Sequence, residues 1–85
     1  MSEHSGKVAV ITGGARGFGR SFAEALAMRG ARVVLADLDG AEAARAAGAI
    51  GSLAEYLALD VADEVAVSAA MQDIAARHGG IDILI

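Results

Sequence analysis

A glycine-rich segment between two stretches of different hydrophobic periodicity constrains the fold more than any other feature of the chain. Residues 7–12, KVAVIT, form an apolar run without polar alternation, which is typical of a strand buried on both faces of a parallel sheet. Glycines follow at positions 13, 14, 17 and 19, and apolar residues then recur at helical spacing. This segment is therefore predicted to be a strand, a tight turn and a helix.

The helix after the glycines has a predicted inner face and a predicted end. We expect one helical stripe to face the core, and its residues are Phe18, Phe22, Ala25, Leu26 and Arg29. Gly30 is placed to end the helix in a left-handed conformation.

The rest of the chain repeats the alternation of strand and helix. Further strands are predicted over 32–36, 54–59 and 81–85. A short Ala-rich helix is predicted over 41–47, ended by Gly48 and Gly51, and a longer one follows the N-cap Asp63 and runs to His78. The inner face of the longer helix is predicted to carry Val67, Met71, Ile74, Ala75 and His78.

The β-α-β-α-β-α-β order predicts a parallel sheet within one unit, residues 1–85. Strands joined by helical crossovers pair in parallel, and right-handed crossovers place the first two helices on one face. If the chain then returns past the first strand, the third helix covers the other face and the sheet order is 3-2-1-4. The polar residues 1–6 are predicted to be disordered.

Composition and charge exclude several classes of protein. The chain has no Cys, which excludes a disulfide scaffold and a thiolate metal site, and neither His has a neighbour at metal-ligand spacing. The net charge of −4 and the scattered basic residues argue against a nucleic-acid partner. No apolar run reaches the roughly 18 residues that a membrane span needs, and no signal-peptide pattern is present. A cytoplasmic protein without a membrane partner is predicted.

The glycine segment is suited to binding a dinucleotide. A pyrophosphate must approach the backbone of the turn closely, which glycine permits, and the helix N-terminus offers N–H groups and a partial positive charge to it. The strand before the segment and the helix after it provide the required context. The alternative is a purely structural glycine-rich turn.

Asp37 and Arg16 bear on which dinucleotide is bound. Asp37 ends the second strand, 18 residues beyond Gly19, where a carboxylate can accept hydrogen bonds from the adenine-ribose hydroxyls. It would repel a 2′-phosphate, so NAD is predicted and NADP is disfavoured. Arg16 argues in the opposite direction, but an Arg can turn to solvent. The alternative for Asp37 is an ordinary turn residue.

The spacing T-G-x-x-x-G-x-G, formed by Thr12, Gly13, Gly17 and Gly19, resembles the glycine motif of the short-chain dehydrogenase/reductase family. The resemblance runs from about Lys7 to Ile85 and corresponds to the first third or so of a typical member. It implies a Rossmann-like doubly wound sheet, present here in part, with a nicotinamide cofactor whose pyrophosphate lies over Gly13–Gly19. It also implies that Thr12 steadies the glycine turn and that Phe18 lies near the nicotinamide.

The resemblance implies a further contact at Asp60 and Val61, which follow the third strand. In the family this Asp–Val pair meets the adenine, where the carboxylate takes the amino group and the next backbone contacts the ring. The alternative for Asp60 is a loop residue near a helix start, although Asp63 alone suffices as the cap.

The family's catalytic residues have no counterpart in these 85 residues. The family uses a Ser and a Tyr with a Lys four residues later, whereas Tyr56 is followed by Asp60 and the only Lys is Lys7. We therefore expect the cofactor-binding N-terminal part of an NAD(P)-dependent oxidoreductase, acting on a carbonyl or alcohol substrate only when complete. The resemblance also implies a homo-oligomer. The alternative is a stand-alone module that binds a nucleotide or docks onto a partner without chemistry.

The 85-residue chain is expected to be less stable than an ordinary domain of its size, or to self-associate. In the complete family fold the fourth strand is central, whereas here it is an apolar edge open to pairing with other chains. An ordinary domain of this length has roughly 4 to 13 kcal/mol of unfolding free energy. Urea denaturation with sedimentation tests this, and a cooperative, monomeric transition of ordinary magnitude would contradict it.

Overall fold

The computed structural model describes residues 6–85 as a four-stranded parallel sheet with helices on both faces. The elements in chain order are β1 (Val8–Thr12), α1 (Gly17–Met28), β2 (Arg32–Asp37), α2 (Gly40–Ile50), β3 (Ala54–Ala58), α3 (Glu64–His78) and β4 (Ile83–Leu84). The sheet order is β3-β2-β1-β4, as predicted. Apart from Gly6, which lies in a turn, the start predicted to be disordered falls outside the described residues.

The two central strands are buried on both faces, which explains their continuous apolar sequence. On one face Ala9 and Ile11 of β1 pack with the small residues of α1 and α2. On the other face Val8 and Val10 pack against Ile74 of α3. This alternation along β1 confirms the doubly wound arrangement, because successive strand residues point to opposite faces.

The inner face of α1 differs from the predicted aromatic stripe. Phe18 is 92% exposed, Phe22 is 43% exposed, and the buried residues are Ala23 and Leu26. The cause is the close approach of α1 to the glycine turn, where a Cβ added at Gly19 would lie 2.3 Å from the Gly13 carbonyl oxygen. A side chain does not fit between the first turn of α1 and the loop, so Phe18 lies on the outer side of the helix, and Phe22, four residues later, lies on the same side.

The helix α2 is longer than predicted, because Gly48 lies inside it. Gly48 has no positive φ, and the helix continues through it to end before Gly51, whose φ is +112°. The start of α2 is capped by Asp39, whose side chain accepts a hydrogen bond of 3.1 Å from the Glu42 N–H. An exposed glycine lowers the stability of a helix but does not end it where its neighbours, here Ala46, Ala47 and Ala49, favour the helix.

The predicted cap and inner face of α3 are confirmed, whereas β4 is shorter than predicted. The Asp63 side chain accepts a 3.1 Å hydrogen bond from the Ala66 N–H, and Ile74 is the buried residue of the helix. Beside β4, the Asp82 carboxylate accepts a 2.9 Å hydrogen bond from the Val8 N–H.

No helix within residues 6–85 has both the length and the apolar character to cross a membrane.

Substitution of two helical glycines by alanine is expected to have opposite effects on stability. Gly19→Ala should lower the unfolding free energy by about 1–3 kcal/mol, since the new methyl group meets the Gly13 carbonyl. Gly48→Ala is the matched control, because an added Cβ there meets nothing within 4 Å. It should raise the unfolding free energy by about 0.5–1 kcal/mol. Urea denaturation of both variants measures this, and a shift in the same direction would contradict the packing described for α1.

Candidate functional site

The candidate site lies at the carboxyl edge of the sheet, where the loops after β1, β2 and β3 meet. The loop between β1 and α1 is tied to the end of β2, because the Gly13 N–H donates a 2.8 Å hydrogen bond to the Ala36 carbonyl. Gly13 and Gly17 have φ values of +64° and +60°, in the left-handed region that favours glycine. Gly14, which the motif spacing does not identify, is also constrained, since a Cβ there would lie 2.9 Å from the Ile11 carbonyl oxygen.

The N-terminus of α1 is electrostatically different from those of the other helices. Its N-cap is Arg16, which makes no side-chain cap, and its first turn contains no acidic residue. In contrast, α2 and α3 are capped by Asp39 and Asp63 and each has a Glu in the first turn. The helix itself therefore supplies no carboxylate to offset the positive end of its dipole, which leaves the N–H groups of its first turn suited to an anion.

Asp37 joins β2 to the glycine loop. One carboxylate oxygen accepts a 3.1 Å hydrogen bond from the Ala15 N–H, and the other accepts a 2.9 Å hydrogen bond from the Asp39 N–H. A carboxylate has about four lone-pair positions, so further donors can be accommodated. The structure thus brings the predicted acid into direct contact with the predicted loop.

A groove of about 430 Å³ opens beside Asp37 and is lined by Arg16, Asp37, Leu38 and Asp39. Arg16 Nη2 lies 2.7 Å from Asp39 Oδ2 across this groove. Leu38 is 75% exposed. The sequence prediction of site residues does not include Leu38 and Asp39. Their position alone indicates a site, because they directly follow the carboxyl end of a parallel strand, where ligands bind.

The remaining predicted site residues lie at different parts of this edge, namely Thr12, Phe18, Asp60 and Val61. The Thr12 hydroxyl donates a 2.7 Å hydrogen bond to the Ile85 carbonyl, so its contact is with the residue after β4. Phe18 projects from the first turn of α1. Asp60 accepts a 2.9 Å hydrogen bond from the Ala62 N–H, and Val61 is 60% exposed. Because β3 pairs with β2, these last two lie on the side of Asp37 away from the glycine loop.

A second charged cluster connects α3 to β3, away from the carboxyl edge. Glu55 Oε1 lies 3.0 Å from Arg77 Nη1 and 3.2 Å from His78 Nε2. Partial burial alone would raise the pKa of Glu55, but hydrogen bonds from His78 and Arg77, with the charge of Arg77, hold it below its usual value. Hydrogen bonds to Asp73 and Glu55 raise the pKa of Arg77. Among residues 6–85, no group of three or more His, Cys, Asp or Glu could hold a metal ion.

The sheet order, the helices on both faces and the glycine loop at the carboxyl edge define a Rossmann-like α/β protein. The family model for short chain dehydrogenase matches residues 7–85. The chain therefore belongs to the short-chain dehydrogenase family, as the T-G-x-x-x-G-x-G spacing predicts.

Individual relatives are similar over nearly the whole chain. Galactitol 2-dehydrogenase of Agrobacterium fabrum is 48% identical over 79 residues, which are 93% of this chain and 31% of that protein. The 3-ketoacyl-(acyl-carrier-protein) reductase of Brucella melitensis, solved with NADH, has 45% identity and a TM-score of 0.88 over 94% of this chain and 33% of that one. A metagenomic short-chain oxidoreductase solved with NADP has 38% identity and a TM-score of 0.93, covering 98% and 39%. The chain thus spans about a third of the length of the relatives it matches.

Acidification is expected to weaken the link between α3 and β3. Because folding lowers the pKa of Glu55 below 4.5, the stability it contributes is fully present above that value. That contribution is lost as the pH falls through the lower pKa of the folded state. Chemical denaturation at successively lower pH measures the loss, and Glu55→Gln should reduce the pH dependence in this window. An identical pH profile for the variant would show that Glu55 does not contribute.

Proposed function

We propose that this chain binds NAD at the carboxyl edge of its sheet, as the cofactor-binding part of an oxidoreductase. The observation that carries the proposal is the 3.1 Å hydrogen bond between the Ala15 N–H of the glycine loop and the Asp37 carboxylate. It joins the two features that a dinucleotide needs, a backbone cradle for the pyrophosphate and an acid for the ribose. Family membership and the dinucleotides bound to the two similar solved structures support it.

The pyrophosphate would lie over Gly13–Gly19. The left-handed Gly13 and Gly17 present backbone without side chains, and the adjoining N-terminus of α1 has no acidic residue in its first turn. A phosphate there would accept backbone hydrogen bonds while its charge meets the positive end of the helix dipole. Arg16 also flanks this position as the N-cap of α1.

The adenosine would lie beyond Asp37. The Asp37 carboxylate would accept hydrogen bonds from the ribose hydroxyls and would repel a 2′-phosphate, so NAD is favoured over NADP. The adenine would extend toward Asp60 and Val61, since β3 is the next strand of the sheet. The nicotinamide would lie at the opposite end, toward Phe18 and Thr12.

The bound dinucleotide would supply hydride transfer to or from a carbonyl or alcohol substrate. These residues hold and orient the cofactor. They include no Tyr-x-x-x-Lys, since Tyr56 is followed four residues later by Asp60 and the one Lys of the 85 residues is Lys7. We infer that groups outside these 85 residues complete the reaction. The intact mass of the protein from its native source tests this, because a mass of 8.5 kDa would favour a binding module without catalysis.

Removal of the Asp37 carboxylate is expected to weaken NAD binding. Asp37→Ala deletes a charged acceptor of the ribose hydroxyls, which should cost about 2 kcal/mol, or about thirtyfold in Kd. Titration calorimetry with NAD measures this. The matched control is Asp73→Asn, which removes a carboxylate from α3 without touching the carboxyl edge.

Because Asp37 also accepts from the loop, a second variant separates binding from folding. Asp37→Asn removes the charge and keeps one side-chain oxygen for the Ala15 N–H, although it loses the oxygen that accepts from the Asp39 N–H. Circular dichroism verifies the fold of each variant. Unchanged NAD affinity in folded Asp37→Asn and Asp37→Ala would contradict the ribose role. Absence of NAD binding by the folded wild-type chain would reject the proposed function.

A further inference from the structure

The groove beside Asp37 contains an ion pair whose effect on a ligand is separate from that of Asp37. Arg16 Nη2 and Asp39 Oδ2 are 2.7 Å apart. Asp37 and Asp39 are the two acids among the residues that line the groove, and Arg16 is the cation. A phosphate entering there would therefore meet two carboxylates and a guanidinium that already has an anionic partner.

The ion pair between Arg16 and Asp39 is exposed and therefore weak, so removal of one charge can release the guanidinium. The side chains of Arg16 and Asp39 are 67% and 47% exposed, and exposed ion pairs contribute only about 0–1 kcal/mol. The guanidinium is therefore not fixed permanently. It is held by Asp39 in the absence of a stronger anionic partner, and a phosphate would have to displace that carboxylate while remaining close to it.

We propose that Asp39 is a second specificity-determining residue, which excludes a 2′-phosphorylated dinucleotide by keeping Arg16 neutralised. This inference rests on the proposed dinucleotide site. Asp37 repels the phosphate directly, whereas Asp39 withholds the one cation of the groove that could bind it. Arg16 and Asp37 favour different cofactors when read separately, and the pairing with Asp39 reconciles them.

The structural duties of Asp39 can be separated from its charge. Its Oδ1 caps α2 by accepting from the Glu42 N–H, and its own N–H donates to Asp37 Oδ1. Asn is as favourable an N-cap as Asp, and the backbone N–H is the same in both residues. Asp39→Asn therefore removes the charge that holds Arg16 while retaining the cap and the contact with Asp37.

Titration calorimetry of the wild-type chain and its variants with NAD and with NADP tests the proposal. In Asp39→Asn the Kd for NADP should fall about fivefold, as expected when an exposed charge pair near a dianion is broken, while the Kd for NAD changes less than about twofold. Adding Arg16→Gln to Asp39→Asn should abolish the gain. Glu42→Gln is the matched control, since it removes the same charge from α2 outside the groove and should leave the ratio unchanged.

The outcomes distinguish this inference from the function on which it rests. If NAD binds but Asp39→Asn leaves NADP affinity unchanged, or changes both affinities equally, the inference is wrong and the proposed function stands. If the folded wild-type chain binds neither dinucleotide, both fail. Should Asp39→Asn not fold, Arg16→Gln alone decides the question. Because Arg16 is already paired, that variant should change the NADP-to-NAD ratio less than about twofold, and a larger loss of NADP binding would overturn the inference.

Discussion

The close contact between the first turn of α1 and the glycine loop is the constraint on which the rest of the structure depends. A Cβ at Gly19 would lie 2.3 Å from the Gly13 carbonyl oxygen, so the helix approaches its own preceding loop more closely than any side chain would allow. The loop between these two glycines carries the Ala15 N–H, which donates to Asp37. The close approach also leaves no room for a side chain between the first turn of α1 and the loop. The packing of α1 and the candidate site therefore meet in the same short segment.

Much of the fold could be predicted from sequence because its elements differ sharply in periodicity. The buried runs of β1 and β2, the helical segments between them and the cap Asp63 all carry local signals. The inner face of α1 could not be predicted in the same way, because periodicity identifies Phe18 as readily as Ala23 and does not report how closely two backbones approach. Likewise, Gly48 has the composition of a helix breaker, but the Ala-rich chain around it continues the helix.

In the candidate site, too, some residues could be predicted from local sequence and others could not. The glycine spacing and Asp37 could be predicted because each has a fixed position relative to a strand end. The role of Asp39 could not, because it depends on three hydrogen-bonded or charged contacts to the chain on either side of it. A single aspartate after a strand indicates a turn or a cap in most proteins. Its pairing with Arg16 is a tertiary contact across the edge of the sheet, which no local pattern encodes.

The unequal burial of the helices has a consequence for local unfolding. Ile74 is the one buried residue of α3, whereas α2 buries Ala43, Ala46 and Ala47 and the central strands are buried on both faces. Opening of α3 would expose Ile74 and Met71 together with the strand residues Val8, Val10 and Val34 that the helix covers. Because α3 buries one residue and α2 buries three, we expect the amides of α3 to exchange with solvent faster than those of α2, and opening of α3 would leave one face of β1 and β2 open to solvent.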